Sequence, residues 1–580
     1  MAMYLSPMVD VKEIDLTTTI PAVATSIGAI VLRNTKGPEL KQTLITSETE
    51  LINMFGKTRK RVYDHSGDDS ITADCYKDML SAMGYLKYGN KLYCTRTMPA
   101  SATFAGTTIE SNGATNFVAG LTALTLNSET LNGDITDPDD FHDEVEATDM
   151  GTDHIMIAAS RGYGNNTRVV LVDKTTQTQM LSGGLSTEDT YNTVIGVDSR
   201  LDDDDDFLII VQHMERGTTD DTVEVNVSLD ENAVDDQGIS KFAETAINDG
   251  SDYIRIALLD SQKNLATVPS AVTNEFEQFG GGSDNGSDSI SDAVIMEGYE
   301  LYQNAEELDV NILIDSDKSE TVKEKLIDIC ESRLDAMCVL DVKYAHVVNN
   351  KGSEVTDMTQ RKGITSPGLN VNTSYAAIYG NFNVYDKYLK EYVVPTSGYM
   401  AGIFARTDNL RDPAPAGLNR AIVTSVRKLA FNPTKGNRDI MYMSGINPIV
   451  SFAGQGKTVG QKTLLDKSSA FNRINVRRLF MVLEKAISTA SKYFLFEQND
   501  KYTWAQMKAM IEPFLRDVQS RRGIYDFYVQ IDEQNNTAER IDRNELANIF
   551  IKPTRSAEFI VLQFVATKTG ASFEELFESV

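Results

Sequence analysis

The sequence predicts a multidomain chain of mixed α/β and α+β class, with β-rich outer domains inserted into an α/β core. Three observations predict it. The chain has 580 residues, too many for one hydrophobic core. Strand–helix–strand patterns stand on both sides of a long acidic stretch that carries short alternating strands. Residues 371–580 then read as helix-rich.

Residues 1–25 form an arm. Val9, Val11 and Ile14 are separated by polar or charged residues, and no face is apolar enough to pack alone. Residues 26–100 read as strand (Ile27–Leu32), helix (Ile71–Leu86) and strand (Lys91–Arg96). Residues 101–290 read as one or two inserted, acidic, β-rich outer domains. His154–Ala159, Arg168–Val172 and Phe207–Gln212 are short apolar runs, and Val223, Val225, Val227 and Leu229 alternate as in a half-buried strand. Gly280–Asp292 has the composition of a linker.

Residues 291–370 carry a β-α-β unit. Val310–Ile314 is its first strand and Met337–Val342 its return strand. Between them Asp317 and Glu320 have capping-box spacing before a helix bearing Val322, Leu326, Ile329 and Leu334. In 371–567, Val476–Phe496 and Trp504–Ser520 have helical spacing, and Pro513 is expected to kink or divide the second. Glu558–Ala566 reads as a strand buried on both faces. Residues 568–580 form a tail.

Charge divides the chain. The net charge of −29 splits into +1 for residues 1–100, −36 for 101–370 and +6 for 371–580. An acidic field repels nucleic acid, so direct nucleic-acid binding is not expected. No apolar run is long enough to span a membrane, and Met1–Asp10 lacks the pattern of a secretory signal. Cys75, Cys94, Cys330 and Cys338 show no CxxC spacing and are expected reduced and buried.

No motif assembles a catalytic, cofactor or metal site. Ser451–Thr458 ends in Gly-Lys-Thr, as a phosphate-binding loop does, but Ser451 stands where that loop needs glycine. Its ordinary reading is a surface turn. His65, His142, His154, His213 and His346 form no zinc spacing. Consecutive aspartates at Asp202–Asp206, and the set Asp284, Asn285, Gly286 and Asp288, lack the alternating ligands of a calcium loop. Basic residues cluster at Arg473, Arg477 and Arg478, and again at Lys508, Arg516, Arg521 and Arg522. In an acidic chain they point to acidic groups on a protein partner or a neighbouring copy, or to an ordinary charged helix face.

Several runs resemble the contractile tail sheath family of myovirus-type phages. At the N-terminus these are Ser6–Ile14, Ile20–Ser26, Gly37-Pro38, Leu44–Ser47 and Met54–Gly56. Later come Tyr399–Asp408, Pro415–Gly417, Gly445–Ile449, Ile474–Phe480, Phe496–Asp500, Phe514–Asp517 and Ala557–Val561. They fall in collinear order over about 1–100 and 300–567; 101–290 matches nothing. Met8, Asp10 and Ser556 depart from the family pattern.

The resemblance implies a sheath core built from both chain ends. It implies a structural subunit, not an enzyme, that polymerises as stacked hexameric rings around a tail tube. Contraction then drives the tube through the host envelope without a cofactor. The implied partners are other copies, the tail tube protein, and baseplate and tail terminator proteins; the implied location is the virion tail, assembled in host cytoplasm. Val9, Val11, Ile14, Phe559, Val561 and Phe564 would be inter-subunit arm residues that add strands to a neighbour's sheet. Lys508, Arg516, Arg521 and Arg522 would face the tube or a neighbouring subunit. The alternatives are a related injection system or bacteriocin sheath and, further off, a nucleotide-dependent enzyme using Gly456-Lys457-Thr458.

Overall fold

The computed structural model describes residues 26–34, 37–38, 40–56, 75–97, 104–110, 117–118, 154–161, 167–174, 201, 206–215, 218–235, 237–250, 254–258, 263, 277–278, 290–360, 369–387, 390–410, 414–417, 421–422, 426–452, 454–532, 535–536, 547–556 and 558. The chain divides into two compact units, Pro21–Ala490 and the pair of segments Met1–Ile20 and Ser491–Val580.

In Pro21–Ala490 the architecture follows from a few continuous apolar runs. Gly28–Leu32 and Met337–Asp341 are buried at every position, the pattern of strands covered on both faces. They belong to a seven-stranded sheet. Its order is Ile446–Asn447, Ala376–Tyr379, Met337–Asp341, Ile312–Ile314, Gly28–Leu32, Leu92–Arg96 and Thr43–Ile45. All neighbours run parallel except the edge strand Thr43–Ile45. Both sides of the long insertion thus supply central strands, and the sheet also crosses residue 371.

Alternation sorts these strands into two cores. Ile30, Leu32, Leu92, Cys94, Ile312, Ile314, Met337 and Val339 face the helices Cys75–Leu86 and Ser397–Leu410. Ala29, Val31, Leu313, Cys338 and Leu340 face Asp292–Glu300 and Glu320–Arg333. The period of two in side-chain direction is what lets one short strand serve both layers.

Between Arg96 and Asp292 the described strands are antiparallel. One sheet runs Arg255–Leu258, His154–Arg161, Phe104–Glu110, Phe117–Val118. The other runs Glu277–Gln278, Thr167–Asp173, Asp206–Glu215, Thr218–Ser228. Val169, Leu171, Phe207, Ile209 and Val211 share a third core with Ile247, Ile254 and Ile256. The β-rich reading of this stretch holds.

Several expectations are corrected. The helix after Ile312–Ile314 is capped not by Asp317 but by Ser319, whose side chain accepts from Val322 N. Asp317 is instead turned away at φ 58° and bound to Lys77. Leu334 is no helix-face residue; it closes the helix in a left-handed conformation and is half exposed. The linker reading of Gly280–Asp292 fails at its end, because Ser291 caps a helix that starts at Asp292. The described residues of 376–553 hold ten strands, so helix periodicity there masked the short β runs between the helices. The helix expected over Val476–Phe496 runs Ile474–Ser491 and then tightens to a 3₁₀ turn at Lys492–Phe494. Pro513 neither ends nor divides Lys501–Ser520; it removes one ladder bond on an exposed face and the helix continues.

Cys94, Cys330 and Cys338 are unpaired and buried, as expected. The Cys75 side chain lies outside the described residues. Among the described residues no helix is long and apolar enough to cross a membrane.

Candidate functional site: the C-terminal unit and the edge of the central sheet

Within Ser491–Val580 the helix Lys501–Ser520 is built from its cap inward. Asp500 Oδ1 accepts from Tyr502 N at 3.0 Å and Thr503 N at 2.9 Å. These amide bonds, that of Thr503 foremost, hold its carboxyl below the usual range. Thr503, Trp504, Met510, Ile511 and Leu515 form the buried face, and Trp504 Nε1 donates to Asn499 Oδ1 at 2.7 Å.

The four predicted basic residues lie on the other side or just past its end. Lys508 sits 3.8 Å from Glu512 and Arg521 2.8 Å from Asp517, both one turn away. Exposed pairs of this kind are worth only about 0.3–0.5 kcal/mol, so these cations exchange partners readily. Arg516 and Arg522 are exposed, and Arg522 turns the chain at φ 70°. Burial of Arg477 and Arg478 overturns any partner-facing reading for them. Arg478 pairs with Asp408 of its own chain, and the Arg477 guanidinium lies 3.9 Å from the Tyr375 ring centroid.

The helix packs on a hairpin that the sequence reading missed, Ile524–Gln530 paired antiparallel with Asn548–Pro553. Val529 faces inward. Outward, Tyr528 stacks on Phe550 at 6.3 Å and Lys552 meets Asp526 at 3.2 Å. Alternation in IYDFYVQ and NIFIKP is the signal that could have found it. Among the described residues no third strand joins these two, and a two-stranded sheet alone is marginal in water. The six arm residues Val9, Val11, Ile14, Phe559, Val561 and Phe564 lie outside the described residues, as does the strand expected at Glu558–Ala566.

The motif ending Gly456-Lys457-Thr458 is a β-hairpin, Ile449–Phe452 with Gln455–Thr458, turned at Gly454 with φ 77°. Lys457 pairs with Val450 and Ala421 across strands, and Thr458 is buried. A phosphate loop needs a helix N-terminus directly after its Gly-Lys-Thr; here those residues are strand. Asp206, the described member of the acidic run, binds Lys241 at 2.7 Å. Among the described residues no group of acidic, histidine or cysteine side chains could hold a metal.

Parallel sheets bind ligands at their carboxyl edge. Here that edge is filled by the protein's own charges. Asp78 is fully buried and accepts from Arg33 Nε at 2.7 Å and Lys318 Nζ at 2.5 Å. Burial alone would raise its pKa; the Arg33 and Lys318 charges overcome this and hold it below the usual range. Ser316 bridges Ser81 and Ser397, and Ser316 and Asp317 both take φ 58°, strain that the surrounding bonds hold in place.

The comparisons agree in one direction. The phage tail sheath C-terminal domain family matches residues 466–567, which include the basic helix and the hairpin. The tail sheath protein of Enterobacteria phage T4 is 27% identical over 99% of both chains. That of Vibrio phage KVP40 is 41% identical over 323 residues, 51% of this chain and 47% of the relative. The chain is similar to contractile tail sheath proteins along nearly its whole length.

A third sheath relative, from Salmonella phage ViI, is 30% identical over 57% of this chain and 52% of its own length. The matched stretch thus spans about half the length of two of these three sheath relatives. A sheath tail protein of Listeria innocua shares the fold at TM-score 0.51 and 11% identity, over 93% of this chain and 94% of that one. The mixed α/β core with inserted domains is therefore the sheath fold.

Proposed function

We propose that this chain polymerises as stacked hexameric rings around a phage tail tube and contracts to drive the tube through the host envelope. The observation that carries the reading is the two-stranded hairpin in the family-matched segment. Its edges meet no third described strand, and the chain holds two apolar segments suited to fill such an edge. Val9, Val11 and Ile14 from one end and Phe559, Val561 and Phe564 from the other are the donors. The tail tube, baseplate and tail terminator are the other partners. The chain works in the virion tail after assembly in host cytoplasm, with no catalytic step and no cofactor. The acidic domains of 101–290 form the outer shell, repelling one another as rings slide. The domain boundaries at 25, 100, 290, 370 and 567 belong to this proposal.

Electron microscopy of the purified chain tests it. Tubes or helical rings form without nucleotide, and removal of residues 1–20 abolishes them while the monomer stays folded. A truncated chain that still forms tubes removes the arm from the mechanism. The cations Lys508, Arg516, Arg521 and Arg522 face the tube or a neighbouring subunit. Replacing all four with Ala weakens tube binding, more so at high salt; equal binding removes this helix surface from the mechanism.

A further inference from the structure

Asp341 ends the strand Met337–Asp341 at the carboxyl edge of the sheet and is fully buried. Its Oδ1 accepts three hydrogen bonds: from Thr396 N at 2.9 Å, Thr396 Oγ1 at 3.1 Å and Ser397 N at 2.9 Å. Among the described residues its Oδ2 has no hydrogen-bond partner. Asp315 lies beside it, accepting from Asp341 N at 2.9 Å through Oδ2 and from Lys318 N at 3.0 Å through Oδ1.

The charges that face this pair come from every element around it. The helix Cys75–Leu86 brings Asp78, bound to Arg33 and Lys318, and Lys77, bound to Asp317. The helix Glu320–Arg333 brings Lys323, 3.5 Å from Asp315 Oδ2, and Glu320, which holds Lys343 at 2.8 Å. The neighbouring strand Ala376–Tyr379 brings the Tyr379 phenol, which burial keeps neutral. The helix Ser397–Leu410 brings its first amide and Ser397. Three cations thus pair with Asp78 and Asp317, and among the described residues the Lys323 ammonium is the cation that serves the two buried carboxyls. One ammonium cannot balance both, and an ionised oxygen with no donor is the costliest state such a group can take.

We propose that Asp341 folds in its protonated form. The carboxyl edge of the sheath core, where Asp341 ties the Ser397–Leu410 helix to the sheet, is then a proton-linked clamp that loses stability when Asp341 ionises and its buried charge goes unbalanced. Burial first, then the Asp315 charge, pushes Asp341 up to about 7, and burial pushes Asp315 up to about 6. Both folded values lie above the unfolded value of about 4. The stability they lend is complete below that value and is lost as pH rises through about 6 to about 7. His346, lowered by burial, acts in the opposite sense, its stability lost as pH falls below the ordinary histidine value. Lys318, lowered by burial to about 8, acts above it. The difference between wild type and Asp341→Asn isolates Asp341, because Asn keeps the Oδ1 acceptor and carries no charge.

Melting of the full chain between about pH 5 and about pH 8 reads the clamp. Wild type loses about 3 °C more than Asp341→Asn over that range, and the variant melts no lower than wild type at the alkaline end. Infrared spectra of the folded wild type show a protonated-carboxyl band that titrates near neutral pH and is missing in the variant. If Asp341→Asn fails to fold, the band read in Asp315→Asn, where Asp341 is the carboxyl of the pair that still titrates, decides instead. Parallel melting profiles, or no carboxyl band titrating in that range, overturn the proposal.

Discussion

Gly398→Ala tests the closest helix crossing of the core. The helices Cys75–Leu86 and Ser397–Leu410 meet on small residues. A Cβ at Gly398 would stand 2.1 Å from Ser81 O, 2.6 Å from Ser81 C and 2.7 Å from Ser81 Cα. Ordinary contact begins near 3.4 Å, so the two backbones must part by about 1 Å or more, and no side chain can swing aside. Relief elsewhere along the crossing is blocked too. A Cβ at Gly402 would meet Tyr85 O at 2.9 Å, and one at Gly84 the Tyr399 ring at 2.9 Å. Moving the helix also pulls Thr396 and Ser397 off Asp341.

Overpacking costs about 1–3 kcal/mol when side chains yield; against rigid backbone, with buried bonds lost as well, about 3–5 kcal/mol is expected. For a body of this size that lowers Tm by roughly 3–5 °C. Gly436→Ala is the paired control. It lies in the helix Lys435–Met443 with nothing within 4 Å of its Cβ position, and it should be neutral or raise stability by up to about 1 kcal/mol. Scanning calorimetry of both variants decides. A Gly398→Ala protein that melts within about 1 °C of wild type would refute the close-crossing argument.

Other outcomes follow from the same contacts. Lys318→Met removes one of the two cations on Asp78 and should cost about 3 kcal/mol, whereas Asp78→Ala removes the buried carboxylate that two cations share and should cost more; the order of melting temperatures checks this, and the reverse order would contradict it. Asp78, held below its usual value, supplies stability that is lost as pH falls through its folded pKa, so acid unfolding should begin at higher pH in Lys318→Met. Lys457→Ala alters a strand position of a hairpin, so tube formation seen by microscopy should persist; its loss, with the fold intact, would reopen a role for that lysine.

Much of the architecture was legible locally. Ile27–Leu32, Lys91–Arg96 and Met337–Val342 were readable as strands because apolar runs between turn residues have few other uses, and each lies within two residues of an observed strand. The inserted β-rich stretch was legible through alternation at Val223, Val225 and Val227. Family resemblance was legible because collinear motifs survive where assembly constrains them. By contrast, the short strands Ala376–Tyr379 and Ile446–Asn447 have too few residues to show a period. The hairpin at Ile524 and Asn548 pairs segments separated by many residues of chain. The N-cap at Ser319 was misassigned because Asp317 offers equal chemistry two residues earlier. Its φ of 58°, imposed by Lys77 and the loop, removed it from the helix axis.

The sequence by itself determined the division of charge and the absence of a complete phosphate loop at Ser451. These depend on residue identity and spacing along the chain. Tertiary structure alone decided which charges meet. Arg33, Asp78, the Asp315–Lys318 loop and Asp341 come from four separate places in the sequence and converge only because parallel strands end side by side. It also turned Arg477 and Arg478 inward while leaving Arg516 and Arg522 exposed. No periodicity distinguishes these arginines; only the position of Asp408 and Tyr375 in space does, because a guanidinium stays buried where a carboxylate or a ring receives it.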